Sequence, residues 1–279
     1  MLRKNINKRR FNILFLSIFA VATTLFFYFL PERIYLGVRN INLPEISFSN
    51  SSTNSNYNGD PIVAPSYIIY DNTNRKVILE KDNKPMPLAS VTKLMTALIA
   101  MRYCKDNIQI NDSTISKQKA VEEMLVESSN EIAEAIANVC PNTEDFVASM
   151  NRVAQDMRTN MSFRNPSGLD ENNETEASAF GSPRDVAELI NSLYLEYPAV
   201  LESTSYSVWE GVRNTNNYAS NWPFLLGSKT GYTDMAHGNL AIIFEPIPNK
   251  RVSIVVLGST KDDRFKDVYR LMNWYLKEQ

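Results

Sequence analysis

The hydrophobic and polar positions divide the chain into parts of different character. Residues 11–30 are uncharged and largely apolar, a length of about 20 residues that suits a membrane-spanning helix. Residues 40–64 are rich in Ser, Asn and Pro, a composition that buries too little apolar surface to fold. From residue 65 onward, apolar residues recur with the periods of strands and helices. We therefore expect a basic tail at 1–10, an anchor at 11–30, a tether at 31–64 and a folded domain at 65–279.

Within residues 65–279, the pattern predicts strands at both ends and helices between them. Two apolar runs, Tyr67–Tyr70 and Lys76–Glu80, flank a turn-forming Asp-Asn-Thr-Asn segment and predict a β-hairpin. We expect an α+β fold in which a helical cluster is inserted into an antiparallel sheet of sequence-distant strands, preceded by one transmembrane helix. Helices are predicted at Ser90–Tyr103, Lys117–Met124, Ser129–Val139, Thr143–Thr159, Pro183–Tyr194 and Asp262–Lys277, and further strands at Leu226–Tyr232, Asn239–Phe244 and Val252–Gly258.

The charge around the apolar run predicts its orientation. Basic residues between Arg3 and Arg10 precede it, which places the amino terminus in the cytoplasm by the positive-inside rule. A cleaved signal peptide is the alternative, but its apolar core is usually shorter and a small-x-small site should follow, whereas Tyr-Phe-Leu-Pro follows here. We therefore predict a single-pass membrane protein whose residues after Pro31 lie outside the cytoplasm, with the lipid bilayer contacted through residues 11–30.

Composition narrows the chemistry. A formal net charge of −2 gives no basic field, which argues against nucleic-acid binding. His237 is the only histidine, so sites built from several imidazoles are excluded, and we interpret it as a turn residue. Cys104 and Cys140 are too few for a four-thiolate zinc site; they either form one disulfide, as an exported domain permits, or remain buried thiols. We expect neither a metal nor a nucleotide cofactor.

Three short motifs follow one another in the predicted domain: Ser90-x-x-Lys93, Ser128-x-Asn130 and Lys229-Thr230-Gly231. Each is weak alone, because a serine at a helix start is often an N-cap and a lysine one turn later is often a surface charge. The ordered set, in one domain behind a membrane anchor, favours a catalytic site.

With these motifs the chain resembles the penicillin-recognising serine enzymes, and more narrowly the D-alanyl-D-alanine carboxypeptidase family of low-molecular-weight penicillin-binding proteins. The resemblance extends from about residue 65 to the carboxyl terminus. It implies a β-lactamase/transpeptidase-like fold, peptidoglycan stem peptides ending in D-Ala-D-Ala as substrate, and β-lactams as inhibitors. It rests on four blocks: 87–97 (PLASVTKLMTA), 128–133 (SSNEIA), 165–170 (NPSGLD) and 227–234 (GSKTGYTD).

The resemblance implies that Ser90 is the acylated nucleophile, Lys93 its general base and Ser128 a proton relay. Positions three apart on a helix share a face, so Lys93 can lie beside Ser90, and burial near a cation such as Lys229 would lower its pKa. The resemblance also implies the substrate contacts. Asn130 would bind the substrate amide, and Lys229 and Thr230 would bind the terminal carboxylate. Gly231 would let the substrate strand approach closely, and the N–H groups of Tyr232 and Ser90 would hold the oxyanion.

The expected activity is removal of the terminal D-alanine from stem peptides through an acyl-enzyme. A D,D-endopeptidase or a β-lactamase of the same fold is an alternative, and so is an inactive cell-wall-binding scaffold. No ExxLN-like block lies between Asn130 and Lys229, which disfavours the β-lactamase. The scaffold is disfavoured because a binding protein has no need of a nucleophile together with its base.

Overall fold

The computed structural model describes residues 57–110, 113–140, 146–172 and 175–278. The predicted anchor at 11–30 lies outside this range. Across the described residues, no helix has both the length and the apolar character needed to cross a bilayer.

The central element is a five-stranded antiparallel sheet. The predicted hairpin is confirmed as β1 (Ser66–Asp71) and β2 (Lys76–Lys81), and the sequence-distant partners are β10 (Leu225–Thr233), β11 (His237–Ile247) and β12 (Lys250–Ser259). The strand order is β10-β11-β12-β1-β2. Because β10 pairs with β11 on one side only, its other edge is free of strands within this sheet.

Both faces of this sheet are covered, which explains its long apolar runs. Along β1, Ile68 and Tyr70 join one hydrophobic cluster with the inserted helices, while Tyr67 and Ile69 join a second cluster with the carboxyl-terminal helix. Successive strand residues point to opposite faces, so a strand covered on both sides needs apolar residues at consecutive positions. All six β1 residues are accordingly buried.

The helices follow the predictions closely, with their ends shifted. They are α1 (Lys93–Tyr103), α2 (Lys117–Glu127), α3 (Asn130–Val139), α4 (Phe146–Asp156), α5 (Pro183–Glu196), α6 (Pro198–Glu202) and α7 (Asp263–Glu278). The predicted proline start of α5 is confirmed: Ser182 and Asp185 form a capping box around Pro183 at the first position. The pattern did not predict α6 or the short strands, which are β3 (Met86–Pro87), β4 (Asn107–Ile110), β5 (Ser113–Ser116), β6 (Ser162–Phe163), β7 (Ala179–Gly181), β8 (Val208–Trp209) and β9 (Val212–Arg213).

The folded part begins earlier than predicted, which corrects the carboxyl end of the tether. Tyr57 and Ile62 are buried in the cluster beneath α7. The N–H groups of Val63 and Ala64 each donate to the Asp267 carboxylate at 2.9 Å. The sequence pattern predicted a polar linker at residues 57–64, because the few apolar side chains that pack against the domain there are irregularly spaced.

Candidate active site

The first motif lies in a tight turn, not in the α-helix predicted to begin at Ser90. Residues Ala89–Thr92 form a 3₁₀ turn, hereafter the Ser90 turn, and α1 begins only at Lys93. The N–H of Leu88 donates to the Ala179 carbonyl at 2.9 Å, which fixes the chain where it enters the turn. Ser90 does not act as an N-cap, because Leu88 occupies the cap position of the turn.

The Ser90 turn is held in a strained conformation. Ala89 has φ +47°, a region that residues with a Cβ rarely adopt. Gly168, itself at φ +76°, packs so closely on the Ala89 carbonyl that a Cβ there would overlap it. Gly168, which belongs to the third block that carries the resemblance, therefore packs directly against the Ser90 turn.

Lys93 lies directly beside Ser90. Its Nζ is 3.0 Å from Ser90 Oγ, and it also contacts Asn130 Oδ1 at 2.7 Å and the Ser167 carbonyl at 2.6 Å. Burial lowers the pKa of Lys93 to about 7, against a smaller opposing effect of the Glu134 charge. A substantial fraction of neutral amine is therefore present at neutral pH, as a general base requires. Burial, and not the charge of Lys229, is the main cause of the lowered pKa.

The second motif joins two helices. Ser128 ends α2 in the left-handed region, at φ +66°, and Ser129 caps α3 by accepting a hydrogen bond from the Ile132 N–H at 3.1 Å. This geometry places Ser128 and Asn130 where both reach a lysine. Ser128 Oγ accepts a hydrogen bond from Lys229, and Asn130 Oδ1 accepts one from Lys93.

Lys229 on β10 is buried and faces the second motif. Its Nζ donates to Ser128 Oγ at 2.8 Å and to the Thr230 carbonyl at 3.1 Å. Its pKa is lowered well below the usual lysine value by burial first and then by the charges of Lys93 and Arg264. The two lysines thus repel one another across a shared site, with a serine hydroxyl beside each.

Gly231 allows β10 to lie against the Ser90 turn. A Cβ at Gly231 would lie 2.8 Å from the Leu88 carbonyl oxygen and 3.2 Å from the Val91 nitrogen. The close approach that requires glycine is therefore to the Ser90 turn. Tyr232, the next residue, is 41% exposed at the open edge of the sheet.

The structure brings together residues that the motifs did not single out. Thr215 Oγ1 is 2.7 Å from Thr230 Oγ1, and the buried Arg264 donates from Nη1 to the Gly231 carbonyl at 2.6 Å. Ser167, which lies within a block that carries the resemblance, offers its carbonyl to Lys93. In the sequence, Arg264 looks like any exposed charge on an amphipathic helix. Nothing in the sequence near Thr215 indicates that its hydroxyl contacts Thr230.

His237 is separate from this network. It is exposed, has φ +54°, and begins β11 opposite Thr233, so it closes the turn in which it was predicted. In the described part of the chain, its side chain forms no hydrogen bond with Ser90, Lys93 or Lys229.

The cysteines form the disulfide that the sequence left open. Cys104 directly follows α1 and Cys140 directly follows α3, and the two are bonded to each other. The bond joins the far ends of the two helices whose first residues, Lys93 and Asn130, meet in the site. It thus ties together the helices that carry the first two motifs.

This arrangement is suited to acyl transfer. A serine hydroxyl lies against a buried amine with a lowered pKa, a second serine lies against a second amine, and an edge strand borders the nucleophile. These are the elements of a nucleophile, its base and a site for an extended peptide.

Comparison with known proteins agrees with this description. The family model described as D-alanyl-D-alanine carboxypeptidase matches residues 107–261, which include the second and third motifs and more than half of the chain. The chain is 27% identical over 247 residues to D-alanyl-D-alanine carboxypeptidase DacF of Bacillus subtilis, covering 76% of this chain but only 61% of that protein. It is 28% identical over 251 residues to the D-alanyl-D-alanine endopeptidase of Escherichia coli, covering 76% of this chain and 77% of that protein.

Solved structures show the same fold. Penicillin-binding protein D2 from Listeria monocytogenes, in its cefotaxime-bound form, is 27% identical and superposes with a TM-score of 0.66 over 76% of this chain and 97% of that chain. The expected α+β transpeptidase-like fold is therefore confirmed for the described domain.

Proposed function

We propose that this chain, which belongs to the D-alanyl-D-alanine carboxypeptidase family, is a membrane-anchored serine hydrolase that cleaves the bond after the penultimate D-alanine of peptidoglycan stem peptides. The observation that carries the proposal is the 3.0 Å contact between Ser90 Oγ and the Nζ of a buried Lys93 whose pKa lies near 7. No other base is needed for the serine.

In the first half of the reaction, neutral Lys93 takes the Ser90 proton as Ser90 Oγ attacks the carbonyl carbon of the penultimate residue. The oxyanion that forms is held by the backbone N–H groups of Ser90 and Tyr232, as the resemblance implies. Ser128 Oγ accepts a hydrogen bond from Lys229, so its own proton is directed away from Lys229 and toward the leaving amine. Transfer of that proton lets the carbon–nitrogen bond break, and Ser90 remains as an ester. The proton that Lys93 took from Ser90 then replaces the one lost from Ser128, so that Lys93 is a neutral amine and Ser128 a hydroxyl before water attacks.

In the second half, water attacks the ester carbonyl and Lys93 accepts the water proton. Ser90 leaves with a proton returned from Lys93, which restores the starting state. Lys229 and Thr230 would hold the carboxylate of the leaving residue through charge-assisted hydrogen bonds.

A D,D-endopeptidase is the second candidate. The Escherichia coli relative of that name is as similar to this chain as the Bacillus subtilis carboxypeptidase. The two activities share one mechanism and differ in whether the leaving residue is a free D-alanine or part of a second peptide.

The anchor at 11–30 would hold the catalytic domain at the outer face of the cell membrane. This part of the proposal rests on the apolar run and its basic flank. Extraction of the full chain with detergent but not with carbonate or high salt supports it, and release of an intact chain by carbonate contradicts it.

The activity is tested with the full-length chain in detergent. We expect D-alanine release from a diacetylated Lys-D-Ala-D-Ala peptide, or cleavage of a cross-linked peptide dimer, and loss of both in Ser90→Ala. The matched control is Ser113→Ala, which removes an exposed hydroxyl on β5 and should leave turnover unchanged. Activity that survives in Ser90→Ala contradicts the assignment.

A further inference from the structure

A cavity of about 370 Å³ opens beside β10, behind the residues assigned to the terminal carboxylate. Its wall includes Arg213, Thr215, Lys261, Asp262, Arg264 and Phe265. We call it the leaving-side cavity. The mechanism described above makes no use of this space.

Two contacts join the leaving-side cavity to the active site. Thr215, in its wall, is 2.7 Å from Thr230 through the two side-chain oxygens. Arg264, also in its wall, holds the Gly231 carbonyl at 2.6 Å. Thr230 would bind the carboxylate of the leaving residue, so the cavity lies next to the position assigned to that carboxylate.

The cavity carries positive charge. Three cations, Arg213, Lys261 and Arg264, face a single carboxylate, Asp262. Within the part of the chain that the structure describes, neither Arg213 nor Lys261 forms an ion pair. Arg264 is 6% exposed and its Nε has no hydrogen-bond partner there. Unpaired cations around a recess of this size favour an anionic ligand.

The cavity is larger than the methyl side chain of D-alanine requires. A methyl group is comparable in size to one water molecule, which takes about 30 Å³ in the liquid. A volume of about 370 Å³ therefore accommodates a side chain of several carbon atoms with a polar end. Phe265, whose ring lies 4.7 Å from the Arg264 guanidinium carbon, provides apolar surface for the carbon atoms.

We propose that the leaving-side cavity is a subsite for a second carboxylate, carried on the side chain of the leaving D-residue. The substrate class is then a peptide whose leaving residue extends beyond Cβ and ends in an anion. This inference rests on the proposed function, because it uses the assigned position of the terminal carboxylate, and it favours cleavage of a bond to a larger leaving group over release of D-alanine.

The test uses three peptides that differ only in the leaving residue: diacetyl-Lys-D-Ala followed by D-Ala, D-Gln or D-Glu. D-Gln and D-Glu have the same shape, so their difference reports the side-chain charge. We expect the full-length chain to cleave the D-Glu peptide about fivefold to tenfold faster in kcat/KM than the D-Gln peptide, a modest ratio because Arg213 and Lys261 are exposed.

The variant Arg213→Gln should lower this ratio toward one and leave the D-Ala peptide unaffected. The matched control, Arg75→Gln, makes the same change in charge near the opposite edge of the sheet and should keep the ratio. An equal ratio in the wild type and in the cavity variant overturns the inference, and so does a wild type that prefers D-Gln.

Two further readouts separate the subsite from the proposed function. If a labelled β-lactam acylates Ser90 but the D-Glu preference is absent, the subsite is wrong and the proposed function stands. If Ser90 is not acylated and no peptide is cleaved, the proposed function is wrong. Calorimetric binding of the D-Glu and D-Gln peptides to Ser90→Ala then decides the subsite: tighter binding of D-Glu supports it, and equal binding overturns it.

Discussion

The titration of Lys93 offers a quantitative test of its role as the base. Its pKa is lowered to about 7 by burial, whereas an ordinary lysine titrates near 10.4. Only the neutral amine can accept the Ser90 proton, so the acylation rate should fall as the pH decreases through 7.

The expected magnitude follows from the fraction of neutral amine. With a pKa of about 7 that fraction is about one eleventh at pH 6 and about ten elevenths at pH 8, a rise of about tenfold that levels off above pH 8. An ordinary lysine would instead give a rise of about 100-fold over the same interval and would continue to rise toward pH 10.

The assay is the rate of Ser90 acylation by a fluorescent β-lactam, measured between pH 5 and pH 9.5 at constant ionic strength. A saturating β-lactam concentration confines the profile to groups that act in the bound complex. Circular dichroism at each pH establishes that the chain stays folded.

A charge variant identifies the titrating group. The carboxylate of Glu134 raises the pKa of Lys93, so Glu134→Gln should move the midpoint of the profile to lower pH. The matched control is Glu131→Gln, an exposed carboxylate on the same helix that does not affect the pKa of Lys93, and it should leave the midpoint unchanged. A midpoint near 10, or an upward shift in Glu134→Gln, would refute the assignment of Lys93 as the base.

Three further predictions concern the parts that hold the site together. Gly231→Ala should slow acylation by tenfold or more, because its Cβ would lie 2.8 Å from a backbone oxygen beside the Ser90 turn. Gly227→Ala is the control: it lies on the same strand, but its Cβ would clash with Leu201, so it should lower the thermal midpoint while acylation by the folded protein persists. Replacing Cys104 and Cys140 by alanine removes a bond between residues 36 apart and should lower the free energy of unfolding by about 3–4 kcal/mol in a urea titration, and an unchanged midpoint would contradict this. Ser128→Ala should reduce kcat for peptide cleavage by about 10²-fold or more through loss of the relay, and full activity would remove Ser128 from the mechanism.

The sequence predicted the elements whose patterns are local. The apolar run of β1 and the proline start of α5 are properties of neighbouring residues, so both could be identified before the structure. The pairing of β1 with β12 was expected only in outline, since its register depends on residues that are far apart in the chain.

The site was predicted through its motifs and not through its contacts. Ser90 and Lys93 are three residues apart, so their proximity follows from local geometry. The contact between Lys229 and Ser128 joins residues 101 positions apart, and that between Arg264 and Gly231 joins residues 33 positions apart. Contacts of this kind leave no periodic signal in a single sequence.

The Ser90 turn shows why a helix start can be misplaced. The apolar pattern continues without interruption from the turn into α1, so the pattern predicted one helix. The positive φ of Ala89 and the position of Gly168 beneath it depend on a segment almost 80 residues later. Tertiary packing therefore determines the conformation of the Ser90 turn.

Mass spectrometry of the β-lactam-treated full-length chain tests whether Ser90 is the residue acylated, with Lys93 as its base. We expect one covalent adduct, on the peptide that contains Ser90, which is absent in Ser90→Ala and forms far more slowly in Lys93→Ala. An adduct on a different residue, or one that forms equally fast without Lys93, would show that these roles are wrong.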